Sequence, residues 1–343
     1  MWILNTGKLF DLKVGYSCNN NCIHCVIKTN VEHMKECGFS SIDTNYAELI
    51  KIMNSDSFKQ ADTVVITGGE PTIRKEFLRI IKYIVKTYPK KHICIQTNGR
   101  LLGRYLEELK NLSNKINYVI AIHSMDEDTH NKIVNNRMDK GNAFKETMET
   151  LEIIKELYGK FEDVARIEIV LSSLNYKTIP ETIMKLHQMD IKYIGISYPH
   201  LDGFYNKYGK EKVKEVGLSY ADLKTILPDI YDYAYNNQDL YLDFEEVPAC
   251  MWRSKSGELL KPIKNIRSMS TKDGNEDICV KFPERNTNEN FVQTWLNLHK
   301  KSNKCSKCQL YRECNGVWFE AINTYGDIGF TPINKEERNN LCT

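Results

Sequence analysis

The chain has 343 residues, of which 41% are hydrophobic and 27% charged, the composition of a globular protein rather than a disordered one. Forty-seven Lys and Arg against forty-five Asp and Glu leave a net charge of +2, so no overall field holds a polyanion and nucleic acid is not an expected partner. No apolar run reaches the ~18 residues of a membrane span, and the start MWILNTGKLFDLKVGYS lacks the stations of a secretory signal, so a cytoplasmic protein with no membrane attachment is expected.

The first two hundred residues alternate β-rich runs with amphipathic helical patterns. Strands are predicted at Leu9–Ser17, Asp62–Thr67, His92–Thr97, Tyr118–His123, Ala165–Ser172 and Tyr193–Tyr198. Several are nearly continuous apolar runs, as suits strands buried on both faces. Helices are predicted at Tyr46–Met53, from Phe77 through Val85, and at Leu101–Leu112, Ala143–Leu157 and Ile179–Met189, each with apolar residues at helical spacing. Six such units give an α/β fold with a parallel sheet and right-handed crossovers. They are too few to close an eight-stranded barrel, so the expected architecture is an open, TIM-like partial (β/α)6 barrel with its chemistry at the strand C-termini.

Residues 201–216 are polar, with Gly203 and Gly209, and read as a loop. A helix is predicted at Leu218–Asn236, entered through Ser219, and a strand at Leu242–Val247. The tyrosines at 220, 231, 233 and 235 read as a packing face. From Pro248 the chain is irregular and rich in Cys, Asn and Lys. The expected division is therefore a barrel over residues 1–216, a connecting helix and strand over 217–247, and a small cysteine-rich domain over 248–343.

Eleven cysteines are unusual for a large unexported chain, and most of them cluster at the two ends. That placement points to metal rather than to a disulfide framework. Cys18, Cys22 and Cys25 follow the first strand directly. Three thiolates at this spacing can bind three irons of a [4Fe-4S] cube and leave the fourth iron open. A zinc site, for which His24 is badly spaced, and three unligated thiols are the competing readings. Gly68-Gly69-Glu70-Pro71 ends the second strand, where two glycines permit close backbone approach and a tight turn is the alternative.

The Cys-x3-Cys-x2-Cys loop after a first strand, followed by Gly68-Gly69-Glu70-Pro71, resembles the radical S-adenosylmethionine (radical SAM) enzymes over residues 9–200. The resemblance implies that the open iron chelates the methionyl group of S-adenosylmethionine. It also implies that His24 lies beside adenine and that the Gly68–Pro71 motif meets the methionyl amino group. By position it further carries Asn98, Ser124, Ser172 and Tyr198 over as cofactor contacts, each of which also reads as a strand-end turn or cap.

Near the other end, Cys305-x2-Cys308-x5-Cys314 is a metal signal that does not by itself choose between zinc and iron-sulfur. It resembles the cysteine-rich SPASM or twitch extensions of radical SAM enzymes, which implies a C-terminal iron-sulfur domain. Cys250 is the first choice for a fourth ligand, with Cys279 and Cys342 competing. Trp318 stands where the SPASM pattern expects a further Cys, so one auxiliary cluster is expected rather than two. Cys37 and Cys94 read as buried small hydrophobes.

The resemblance implies an enzyme that cleaves S-adenosylmethionine to a 5′-deoxyadenosyl radical and abstracts hydrogen from a substrate. A peptide or protein is the first expectation and a small metabolite or cofactor precursor the second; a non-catalytic zinc module is the alternative of another class. An electron donor such as flavodoxin or ferredoxin is an expected partner. The eight residues before Leu9 are too few for a leader-binding module, and the sequence assigns no residue to hydrogen transfer itself.

Overall fold

The computed structural model describes residues 8–135, 141–268, 278–281, 289–290 and 297–341. Cys279 is described for its backbone only, and Cys342 lies outside the described residues. Among the described residues no helix is long and apolar enough to cross a membrane.

The chain divides into two compact units. The first comprises Met1–Ile122, Val134–Arg166 and Asn275–Thr294; the second comprises His123–Ile133, Ile167–Gly274 and Trp295–Thr343.

In the first unit β1 (Leu9–Lys13), β2 (Thr63–Thr67), β3 (His92–Thr97) and β4 (Ile116–Ala121) lie side by side in sequence order, all parallel. Leu9 pairs with Thr63, Thr63 with His92, and Ile93 with Ile116. A strand at Ile278–Lys281 pairs in parallel with the other edge of β1. Val64, Ile66, Ile95 and Ile120 are fully buried, as expected of a sheet covered on both faces. The helix Phe77–Thr87 covers it with Phe77, Ile80, Ile81 and Ile84. Each such side chain contributes roughly 1.5–3 kcal/mol by leaving water. Cys94 is buried between Val65 and Val119 on the sheet, as a small hydrophobe.

In the second unit β5 (Ala165–Val170, from Ile167 onward in this unit), β6 (Tyr193–Ser197), β7 (Tyr241–Glu245) and β8 (Ile266–Ser268) are likewise parallel and in order. The helix Tyr220–Asn236 starts in a full capping box: Asp222 N–H donates to the Ser219 hydroxyl, and the Asp222 carboxylate accepts the Ser219 N–H. Of its tyrosines only Tyr220 is buried, whereas Tyr235 is exposed.

Three expectations need correction. The segment 201–216 is not a loop but two helices, Asp202–Tyr208 and Lys210–Val216. Their apolar faces hold only Phe204, Val213 and Val216, too few to stand out among the lysines, and Gly209 at φ +76° separates the helices rather than dissolving them. Cys37 is exposed, at the C-cap of a helix over Lys28–Glu36 that the polar sequence concealed. The segment after Pro248 is not wholly irregular, since it carries helices at Phe319–Tyr325 and Lys335–Leu341.

Candidate functional site

The N-terminal cysteine loop lies in the first unit and is fixed from both sides. Ahead of it, the Asp43 carboxylate accepts the N–H groups of Tyr16 and Ser17, each at 2.9 Å. Arg74 donates to the carbonyls of Val14 and, at 2.8 Å, Thr44. Within it, Cys25 N–H donates to Cys22 O at 3.3 Å, and Asn20 N–H donates to the Cys18 sulfur at 3.3 Å. All three cysteines are half-buried thiols, and His24 is buried.

The Gly68–Pro71 motif crosses this loop backbone to backbone. Gly69 N–H donates to Gly15 O at 2.8 Å and Glu70 N–H to Ser17 O at 2.9 Å. A Cβ on Gly68 would lie 2.1 Å from Gly15 O, and one on Gly69 would lie 2.1 Å from Ser17 O. The close approach that these glycines serve here is to the segment that leads from β1 into Cys18.

Glu70 is buried and joins the motif to the end of β3. One carboxylate oxygen accepts Thr72 N–H at 3.0 Å, the Thr72 hydroxyl at 2.5 Å and the Thr97 hydroxyl at 2.7 Å; the other accepts Asn98 N–H at 2.7 Å. Burial pushes its carboxyl above the ordinary range, against these bonds. Asn98 in turn donates its side-chain amide to Asn19 Oδ1 at 2.7 Å. Arg100 donates to Asn19 O and Asn20 Oδ1, both at 2.9 Å, and to Glu146 at 2.5 Å. The structure thus brings Cys18, Cys22, Cys25, Gly68–Pro71 and Asn98 into one bonded assembly, and His24 lies buried in the same loop. The sequence reading missed Asp43, Arg74 and Arg100. The run Asn19-Asn20-Asn21 was an available signal, because Asn side chains bond locally to backbone.

Three sequence-assigned contacts lie in the second unit, where their side chains are committed to the fold. Ser124 is fully buried and its hydroxyl accepts Asp126 N–H at 3.0 Å. The Ser172 hydroxyl bonds Asn175 Oδ1 at 3.0 Å, and the Asn175 amide donates to His123 O at 2.7 Å. Tyr198 donates its hydroxyl to Leu218 O and stacks on Tyr220 at 4.4 Å between centroids.

Cys250, Cys305, Cys308 and Cys314 line one pocket of the second unit, with Val317, Phe330 and Ile333 supplying its apolar wall. Pro248 caps the short helix that carries Cys250. Cys308 N–H donates to Cys305 O at 2.9 Å, and Gly316 N–H donates to the Cys314 sulfur at 3.3 Å. Gly316 sits at φ +93°, and a Cβ there would lie 2.5 Å from Lys300 O. Burial, then the proximity of Cys314, Cys305 and Cys308, pushes the Cys250 thiol up to about 12. Four thiols lining one apolar pocket are a donor set that suits a metal-sulfur centre, whose positive charge would reverse that shift.

Trp318 takes no part in the pocket. It is buried between two imidazoles, with His200 stacked at 4.1 Å and His299 at 4.3 Å. His299 is 2.6 Å from the Glu246 carboxylate and His200 is 3.0 Å from Asp202. The position where a further cysteine was expected is therefore occupied by aromatic packing.

Comparison with known proteins places this geometry. The chain is 28% identical over 180 residues to molybdenum cofactor biosynthesis protein moc-5 of Caenorhabditis elegans, covering 52% of this chain and 28% of that protein. It is 32% identical over 137 residues to a GTP 3′,8-cyclase of Petrotoga mobilis, covering 40% of each. The chain thus spans well under two thirds of these relatives' length. Among solved structures, native anSMEcpe with bound AdoMet matches with a TM-score of 0.57 at 17% identity, over 97% of this chain and 95% of that one. Streptococcus suis SuiB bound to precursor peptide SuiA matches with a TM-score of 0.57 at 15% identity, over 93% and 73%. These likenesses show the fold, an α/β partial barrel of the TIM-like kind with a cysteine-bearing C-terminal region. The family described as the Radical SAM superfamily matches residues 12–186, just over half of the chain. This chain belongs to the radical SAM superfamily.

Proposed function

We propose that this enzyme acts on a peptide or protein, abstracting hydrogen from a side chain or the backbone in a maturase-type modification. Family membership implies a [4Fe-4S] cluster and S-adenosylmethionine. In our reading Cys18, Cys22 and Cys25 hold three corners of that cluster. When bound, the reduced cluster supplies the electron that splits S-adenosylmethionine into methionine and a 5′-deoxyadenosyl radical.

The protein's part is to orient and to shield. Asp43 and Arg74 fix the entry of the cysteine loop, while Asn98 and Arg100 fix Asn19 and Asn20 within it. The thiols are thereby presented in a pre-set geometry. Glu70 already holds four protein donors, so it orders the turn, and the backbone of Gly68–Pro71 meets the methionyl amino group. His24 flanks the adenine, and Ser124, Ser172 and Tyr198 shape cofactor contacts through the backbone around them. Cys250, Cys305, Cys308 and Cys314 hold one auxiliary iron-sulfur cluster. The functional division is residues 1–216, 217–247 and 248–343.

The four-thiol pocket carries the peptide reading. It lies in a chain that matches SuiB, solved bound to precursor peptide SuiA, over 93% of its length. A second reading, a small metabolite or cofactor precursor, is favoured by the GTP 3′,8-cyclase relatives. Anaerobically reconstituted enzyme with S-adenosylmethionine and a reductant separates the two. A peptide extract is expected to raise 5′-deoxyadenosine formation and to lose that effect after protease digestion, with GTP inert. Stimulation by GTP alone would establish the second reading in its place.

A further inference from the structure

The segment that carries two of the four tail thiols, Cys305 and Cys308, is strongly basic. Residues 300–312 hold Lys300, Lys301, Lys304, Lys307 and Arg312 and no acidic residue. The whole chain is balanced, with forty-seven cations and forty-five anions, so this run is a local departure rather than a share of general basicity. The nearby acids cancel little of it: among the described residues Glu313 pairs with Arg338 at 2.6 Å, and Asp327 offsets Lys304 alone, at 3.6 Å. Lys307 and Arg312 make no ion pair among the described residues, and both are exposed.

The same segment is the outer wall of the pocket. Lys300 and Lys301 line it together with the four cysteines. Cys305 and Cys308 are only half-buried, and Ser306, Lys307 and Gln309 beside them are exposed. Tyr311 is 45% exposed and lies under the Lys301 ammonium, 4.1 Å from its ring centroid. An aromatic ring framed by cations, over sulfur ligands that reach the surface, gives an approaching protein both an electrostatic target and a short path to the centre. The N-terminal loop offers no such field, because the helix after it alternates Lys28, Glu32, Lys35 and Glu36.

We propose that this basic face docks a small acidic electron-transfer protein and passes single electrons between it and the tail centre. This rests on the reading of the four thiols as an auxiliary iron-sulfur site. In each transfer one electron leaves the reduced carrier and enters the centre, with no bond made or broken; the reverse transfer discharges the centre. Opposite charge steers the encounter and speeds association, and the interface need be no larger than the weak, transient contacts typical of redox pairs.

The test uses the reconstituted full chain and reduced flavodoxin as the acidic carrier, with calorimetry for binding and stopped-flow absorbance for transfer. Lys307→Glu/Arg312→Glu is expected to weaken binding and slow reduction at least tenfold at low ionic strength. The gap should close near ~1 M salt, where charges are screened within about 3 Å. Reduced methyl viologen, a small cation, should reduce the variant at least as fast as the parent. Lys304→Gln, with one charge removed and iron content checked, gives a milder change in the same direction if the double variant misfolds. Equal flavodoxin binding by parent and both variants would overturn the proposal. So would competition by a poly-glutamate peptide that is itself modified, which would make the face a substrate groove. If the parent holds no iron in its tail, it is the auxiliary-site reading that fails, while calorimetry still reads the surface.

Discussion

Glu70 and Asn98 are joined by a 2.7 Å hydrogen bond from the Asn98 backbone N–H to the Glu70 carboxylate, and through it the turn after β2 is locked to the turn after β3. The carboxylate's other oxygen accepts three further bonds. In Glu70→Gln the amide carbonyl can keep those three, but its NH2 must face the Asn98 N–H. A loss of about 1–3 kcal/mol is expected in urea denaturation, as for a buried donor left unmet. Glu70→Ala strands all four donors and should lose more. An unchanged midpoint for the alanine variant would show that the lock is dispensable.

Gly69→Ala places a Cβ 2.1 Å from a backbone oxygen that cannot rotate away. The crossing of the two motifs must open, with a fall in stability of several kcal/mol and loss of iron from the N-terminal loop. Gly159→Ala is the control: it sits at φ +79° and ψ −51° with nothing within 4 Å, so only a backbone strain of roughly 1–3 kcal/mol applies. Similar melting temperatures for the two variants would contradict the packing argument.

Removal of single thiols separates the two cysteine sets. Cys22→Ala is expected to abolish 5′-deoxyadenosine formation. Cys308→Ala should lower iron and sulfide by about one cluster while leaving the N-terminal cluster in place. Mössbauer spectra and iron analysis on anaerobic protein check both, and undiminished 5′-deoxyadenosine from Cys22→Ala would be decisive against the ligand assignment.

The His200–Asp202 pair has a defined pH window. Burial pulls the His200 value down, but the bond and charge of Asp202 outweigh it, aided by Glu320 and Glu246, so the net shift is upward. Burial raises Asp202, and the His200 bond and charge outweigh it, so the net shift is downward. The stabilisation from His200 is full below its ordinary value and is lost as pH rises through its raised folded value. That from Asp202 is full above its ordinary value and is lost as pH falls through its lowered folded value. With ordinary values near ~6.5 and ~3.9, Asp202→Asn should lower Tm most between about pH 4 and 6.5 and progressively less toward pH 8. A difference independent of pH would mean that the pair contributes packing and no charge.

The alternation of strands and helices was legible because apolar runs such as Val64–Ile66 and the helical spacing of Phe77, Ile80, Ile81 and Ile84 state their period directly. The paired helices between Asp202 and Val216 were not, because three buried apolar residues among many lysines leave too faint a period. At the site, cysteine spacing and the double glycine announced themselves. The residues that hold the site did not, since Asp43, Arg74 and Arg100 act across 26 to 81 positions of sequence. Glycines 68 and 69 were noticed for a ligand, yet their nearest neighbours are Gly15 and Ser17, a relationship that no local pattern encodes.

The tail pocket draws one sulfur from position 250 and the next from position 305. Whatever binds both is a cross-link that closes a loop of some fifty-five residues. By the chain-entropy relation used for disulfides, such a closure removes about 4 kcal/mol of freedom from the unfolded chain. If that occupant is the proposed iron-sulfur centre, its oxidative destruction would cost the cell more than a redox cofactor. It would release a tether, expose the C-terminal third to proteases, and turn a reversible chemical injury into disposal of the whole polypeptide.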